Sequence, residues 1–239
     1  MTRALAVALT VVALAGCAGP VEHRSERDAL PRMLASIVQL RAELEGDDRR
    51  SGSGVVIASD PRTSRCWVIT TRHLVAPPAP KRLSARVPDH PGILNAEVVK
   101  VSDVLDLALL AVQGVAPPSV ELKEASGLGQ DIWVAGFPWG GRLTVVRGVV
   151  SQLASDGEEV RLEGPVRMVD APVSYGASGG GVFEVSSGLL IGIVEGYRTA
   201  RVALPNSPDS VLHVPMPGET TVVSSAGIRH FIASAGLDR

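Results

Sequence analysis

The chain has 239 residues with 23 Lys and Arg against 25 Asp and Glu, a net charge of −2, and it is 45% hydrophobic but only 3% aromatic. Scattered basic residues in near-balance exclude the positive face that nucleic-acid binding needs, and so few rings mean a core of Val, Leu, Ile and Ala. The length suffices for one sizeable all-β unit of two barrels, with no second domain required.

Residues 1–16 run from a lone Arg3 through the apolar stretch Ala4–Leu14 into Leu14-Ala15-Gly16-Cys17. The stretch is too short to cross a bilayer comfortably and ends in small residues, so it reads as a secretory signal peptide. It resembles the lipobox of bacterial lipoproteins. That resemblance implies cleavage before Cys17 and a lipid anchor on it, holding the protein to a membrane by acyl chains rather than by basic side chains. Ala18 in the next position fits sorting to an outer membrane, facing the periplasm. Residues 17–33, charged and poor in apolar side chains, read as a tether, and 34–239 as the folded domain.

From Leu34, short runs rich in Val, Ile and Leu alternate with Gly, Pro, Ser and Asp: Ser36–Leu44, Gly54–Ala58, Trp67–Thr71, Arg82–Val87, Ala96–Val101 and Leu107–Val112. A break at Gly114–Pro118 precedes a second series: Ile132–Gly136, Leu143–Leu153, Val160–Glu163, Val166–Asp170, Gly181–Val185 and Leu189–Glu195. This spacing predicts an all-β barrel or sandwich in two halves, about 34–114 and 119–223, with no helices of the kind that parallel crossovers require. Cys66, left without an intramolecular partner once the leader accounts for Cys17, reads as a small buried hydrophobe rather than a reactive thiol. Thr199–Thr221, with four prolines, reads as a long loop. One amphipathic helix is predicted at about 225–235, capped by Ser225 and with Ile228, Phe231, Ile232 and Ala235 on one face.

Three islands carry chemistry. His73 follows the strand Trp67–Thr70, Asp106 opens the apolar run Leu107–Leu110, and Ser178 sits in Gly176-Ala177-Ser178-Gly179-Gly180. The chain order His, Asp, Ser is one arrangement of the serine-protease triad, in which imidazole deprotonates a hydroxyl and a carboxylate fixes the imidazole tautomer. Glycines around Ser178 let the amides of Gly176 and Ser178 turn into one pocket as an oxyanion hole. Asp106 needs a partner if it is buried beside the barrel. Asp103, three residues earlier, reads as a solvated bend. The same glycine loop also fits the nucleophile elbow of α/β-hydrolases, which would need an acid and a histidine downstream, such as Asp209 with His213 or His230. The absence of helices between strands argues against it. The remaining histidines show no ligand spacing, so neither a metal nor another cofactor is expected.

Around these islands the chain resembles the trypsin-like serine peptidases, closest to the bacterial HtrA/Deg type. The resemblance runs from about Leu34 to Glu195. It rests on Ser53-Gly54-Val55, Trp67–Val75, Ala96–Val99 with Asp106–Leu110, Gly136-Phe137-Pro138 with Arg147–Ser151, Val169-Asp170-Ala171 and Leu190–Ile193. It implies two orthogonal six-stranded β-barrels with His73 and Asp106 on the first, Ser178 on the second, and an oxyanion hole of the Gly176 and Ser178 amides. Carried over, the pocket floor falls on Pro172, and a substrate peptide pairs along Ile193-Val194-Glu195, giving an expected preference for small or medium apolar side chains. Three positions depart from the pattern: Ala177 stands in place of Asn or Asp, Arg72 in place of a small or amide residue, and Gly181 in place of proline. A lipidated Cys17 would leave no free amine for activation by N-terminal insertion, and no PDZ-like domain is expected after the terminal helix. The function implied is a serine endopeptidase acting on proteins or peptides of the bacterial envelope. A catalytically silent peptide- or protein-binding lipoprotein on the same fold stays open, as does an esterase.

Overall fold

The computed structural model describes residues 26–154, 161–204 and 207–237, so the leader, Cys17 and the first part of the tether lie outside the described residues. Where the tether was expected to continue to residue 33, Glu26–Ala35 forms helix α1, with Ala29 and Met33 buried. The two lie four residues apart and share one helix face, which packs on the hairpin at Gly188. Leu30 and Leu34 flank them, partly buried on the same core, and the charges between concealed the stripe.

Seven segments then build the first barrel: β1 (Ile37–Glu43), β2 (Arg49–Asp60), β3 (Arg65–Thr70), the single-turn helix α2 (Arg72–Val75), β4 (Arg82–Arg86), β5 (Leu94–Val101) and β6 (Ala108–Gln113). The six strands close in the order β1-β2-β3-β6-β5-β4, antiparallel throughout. Alternate residues divide the work. Val38, Leu40, Val56, Val68, Leu110 and Val112 fill the barrel, while Ile37, Val55, Ile57, Ile69 and Leu109 face outward into a second core. Burial on both faces is why these strands read as continuous apolar runs rather than as clean alternation. Cys66 lies free and buried inside this barrel, and burial pushes its thiol up to about 11.

The linker zips the halves together. Val120 N–H donates to Val56 O on one side, and Leu190 N–H donates to Glu121 O on the other. The second half comprises β7 (Ser126–Gly127), β8 (Asp131–Gly136), β9 (Thr144–Leu153), β10 (Glu163–Gly164), β11 (Val166–Asp170), β12 (Gly181–Glu184), β13 (Leu190–Leu204) and β14 (Ser207–Ser224). Six of them close a second barrel, β11-β14-β13-β12-β8-β9, again antiparallel. Of the predicted strand Val160–Glu163, Val160 lies outside the described residues, and Glu163 instead pairs, with Gly164, to β7 outside the barrel. Trp133, Phe183, Leu190, Ile193 and Val223 complete the core shared by the barrels. Gly181, which departs from the proline of the pattern it resembles, has room only for hydrogen: a Cβ there would meet the Phe183 ring at 2.2 Å.

The predicted loop Thr199–Thr221 is instead a ribbon of β13 and β14, paired from Thr199 with Pro215 to Ala203 with Val211. Its prolines are tolerated because β14 meets β11 only at Thr220 and Thr221, so its outer edge before them needs no donors. Helix α3 (Ser225–Ala233) closes the fold with Ile228 and Phe231 buried. Its cap is Ser224, whose Oγ accepts from Gly227 N–H, while Ser225 Oγ donates to Lys123 O.

Candidate active site

Strand β3 ends against barrel 2, and the turn of α2 lifts His73 out of it. Asp106 approaches from the bend before β6, and its two carboxylate oxygens take both available donors of His73: the backbone N–H at 2.9 Å and ring Nδ1 at 2.6 Å. An ionised carboxylate only accepts, so Nδ1 carries a proton, and in the neutral ring Nε2 is the nitrogen with the lone pair. The imidazole is half exposed, at 52%, while Asp106 is sheltered at 14%. Burial pushes the Asp106 carboxyl up, but hydrogen bonds from the His73 ring and backbone and the charges of His73 and Arg72 outweigh it and hold the group below its ordinary value. The Arg72 guanidinium also donates to Ser102 O and Asp103 O, at 3.1 and 3.2 Å, and so ties down the bend that carries Asp106. Asp103 itself is exposed in that bend.

Ser178 lies in the turn before β12, and barrel 1 holds that turn from behind. Ser53 N–H donates to Ser178 O, and Ser53 Oγ donates to Gly176 O while accepting from Phe137 N–H, each at 2.8 Å. Gly179, at φ +82°, backs onto Ser53 and Thr70 so closely that a Cβ would sit 2.1 Å from Ser53 O. The nucleophile turn therefore rests on the residue three before His73. Within it Ala177 N–H is bound to Ser174 O, whereas among the described residues neither Gly176 N–H nor Ser178 N–H has a protein partner. Tyr175 C=O accepts from Trp139 N–H at 2.6 Å. Because a trans peptide points its C=O and N–H opposite ways, this bond turns Gly176 N–H away from the Trp139 turn. No hydrogen bond joins Ser178 Oγ to His73 Nε2, whose partner is Thr71 Oγ1 at 3.4 Å.

A pocket of about 230 Å³ between the barrels is lined by Leu105, Asp106, Glu195, Val222 and Val223, beside the site rather than in it, since neither His73 nor Ser178 lines it. The expected substrate strand is displaced along the chain. Ile193 is paired on both sides, with Gly181 and Val223, and Val194 spends its N–H on Gly180 O and its C=O on Gly179 N–H. Neither can take a peptide, and the free edge of β13 begins at Glu195. Pro172 is exposed, in the segment between β11 and the Ser178 turn. His213 sits on the ribbon against Thr199 and His230 on α3. With every barrel pairing antiparallel, the hydrolase elbow has no strand–turn–helix on a parallel sheet to stand on among the described residues. No group of potential metal ligands occurs among the described residues. Sequence reasoning passed over Ser53 and Trp139. Ser53 was visible only as part of a strand motif, and a Trp between a proline and two glycines gives no sign of its backbone contact.

The Trypsin-like peptidase domain model matches residues 52–193, more than half of the chain. Serine protease Rv3671c of Mycobacterium tuberculosis is 30% identical over 158 residues, 61% of this chain and 36% of the relative. A probable periplasmic serine endoprotease, DegP-like, of Pseudomonas putida is 30% identical over 157 residues, 64% of this chain and 30% of the relative. The chain thus spans about a third of the length of the curated relatives it matches. In fold it is similar to the crystal structure of the Rv3671c protease in its active form, with a TM-score of 0.64 and 23% identity over 99% of this chain and 96% of that one. Two antiparallel six-stranded barrels, with a His–Asp pair on the first and a glycine-flanked Ser before β12 of the second, agree with that match: the chain belongs to the trypsin-like peptidase family.

Proposed function

We propose that this chain is a serine endopeptidase that hydrolyses peptide bonds through His73, Asp106 and Ser178. One observation carries the reading. A single carboxylate fixes both the backbone and the ring of His73 through Nδ1, which leaves Nε2 to act as the base, and the Ser178 turn, held by Ser53 of the same barrel as His73, offers two unpaired amides. Ser178 Oγ attacks the substrate carbonyl carbon as Nε2 takes its proton, and the oxyanion accepts from Gly176 N–H and Ser178 N–H. The imidazolium then gives its proton to the leaving amine, and water repeats the attack on the acyl-enzyme. The open Ser178–His73 geometry is common in sites without substrate, where catalytic hydrogen bonds tighten only on binding. The acyl half of the substrate pairs with the β13 edge from Glu195, with small or medium apolar side chains beside the cleft. The periplasmic name of the Pseudomonas relative and the lipobox-like segment support an envelope protein anchored through Cys17 to the outer membrane, with envelope proteins or peptides as substrates.

The test is labelling with a fluorophosphonate probe, together with turnover of a broad casein-type substrate. The folded protein should label at Ser178 and the unfolded protein should not. Ser178→Ala and His73→Ala should each lose on the order of a thousandfold or more in rate. Equal turnover by the wild type and Ser178→Ala would overturn the assignment, and an unlabelled but peptide-binding protein would instead be the silent module.

A further inference from the structure

The β13–β14 ribbon leaves barrel 2 and carries a pattern that the barrel does not use. Opposed residues of an antiparallel pair share a face. The register Ala200 with Val214 and Val202 with Leu212 therefore lines one face with Ala200, Val202, Leu212, Val214 and, two residues on, Met216. Thr199, Arg201 and His213 occupy the other face together with Pro215, Ala203 and Val211, so that face is mixed, and on it Thr199 Oγ1 and His213 Nδ1 lie 3.3 Å apart. The apolar face is uncovered: Val202 is 46% exposed and Leu212 52%. A two-stranded ribbon gains little stability in water by itself, so an apolar stripe repeated at period two along both strands is the surface of something that binds.

The two edges of the ribbon differ. The outer edge of β14 carries Pro215 and Pro217, which have no N–H to give. On β13, Glu195–Leu204 contains no proline, and among the described residues no strand pairs with it on the side facing β12 beyond Ile193. That open edge is continuous with Val194, which is bonded to the Ser178 turn through Gly179 and Gly180. Ala200 and Val202 lie six to eight residues farther on, about 20–26 Å at ~3.3 Å per residue. Two register shifts, after Val194 and after Tyr197, steer the ribbon off the barrel.

We infer that the ribbon is an exosite for the acyl side of the substrate, gripping an extended apolar stretch six or more residues before the scissile bond; this rests on the peptidase reading and adds to it a substrate class. A second copy is a poorer occupant, because five half-exposed small and medium side chains fall well short of the ~1,200 Å² that a stable interface buries. A membrane is poorer too. Helix α1, which leads back toward Cys17, packs at Gly188, before β13 begins, and the apolar face starts ten residues into that strand.

The experiment uses two labelled peptides that share a cleavable core and a ten-residue acyl-side extension, one ending in Val and Leu, the other in Ser and Gly. Binding is measured on Ser178→Ala protein and kcat/KM on protein with Ser178 intact, and both are read as the ratio between the peptides. With the ribbon unaltered the apolar extension should be favoured by about tenfold or more. Val202→Asp with Leu212→Asp should bring the ratio to near one. An equal ratio with the ribbon intact, or a ratio that survives the double variant, overturns the exosite. So does a dimer in sedimentation, or flotation with phosphatidylglycerol vesicles, that the double variant abolishes while the ratio persists. A binding ratio that follows the prediction in a protein whose Ser178 takes no probe sustains the ribbon and sinks the peptidase reading instead.

Discussion

Asp106 contributes more than a charge. Because its two oxygens are divided between the ring and the main chain of the same histidine, it sets the tautomer and the position of His73 together. Asn at that position would keep one acceptor but place an amide N–H2 against Nδ1 or the backbone N–H. A ring meeting that amide at Nδ1 must accept there, which moves the proton to Nε2 and removes the base. Asp106→Asn should therefore cost roughly 10⁴-fold in kcat while labelled peptides still bind; a variant within tenfold of the wild type would show that the carboxylate does not govern the tautomer. The pairing of His73 with Asp106 rather than Asp103 was legible because only Asp106 abuts a wholly apolar run. The use of Arg72 as a tie across the bend was not legible, since a lone arginine beside a histidine names no partner thirty residues away.

Elements were legible where their period matched their burial and misread where it did not. Strands buried on both faces announced themselves as apolar runs, but α1 sets Ala29, Leu30, Met33 and Leu34 among charges and a proline, and the ribbon's alternation was interrupted by prolines that break central strands but not edges. The hairpin between β12 and β13 conceals another device, the buried carboxylate of Glu184. It accepts from Lys123 Nζ on the linker, from Gln130 Nε2 before β8 and from Ser187 Oγ. Burial pushes this carboxyl up, yet the hydrogen bonds from Lys123 and Ser187 and the Lys123 charge pull it below its ordinary value. A lowered folded-state value means the pair stabilises above the unfolded carboxylate range and loses that contribution as pH falls through the folded value. Lys123→Met should thus lower stability by about 1–3 kcal/mol at neutral pH, discounted for the partly exposed lysine. The gap in Tm to the wild type should narrow as the pH is lowered through the acid range in which Glu184 takes up its proton. A gap that is flat with pH would mean that Lys123 acts by packing alone.

At the scale of the whole molecule, three side chains far apart in sequence serve one reaction only if the two barrels are locked in register. Such a lock cannot be read from periodicity, which reports each barrel separately; it was reached in the sequence only through a resemblance. Physically, Ser53 supplies much of it. It lies fully buried on β2 and bonds the turn of the opposite barrel at Ser178 O, Gly176 O and Phe137 N–H, while Thr70 Oγ1 donates to its own carbonyl. Ser53→Ala keeps the backbone bonds but strands Gly176 O and Phe137 N–H away from water, at about 1–3 kcal/mol for each unsatisfied group. Gly176 is also the residue whose N–H is proposed to hold the oxyanion; the peptide on its C-terminal side loses the Ser53 bond, while the one that carries its N–H keeps the bond of Trp139 N–H to Tyr175 C=O. The expected result is a Tm lower by several degrees and probe labelling slowed about tenfold or more at temperatures where the variant remains fully folded. If the protein melted early yet labelled at the wild-type rate, Ser53 would stabilise the joint between barrels without shaping the site, and the orientation of the Gly176 amide would have to be credited to the Trp139 turn alone.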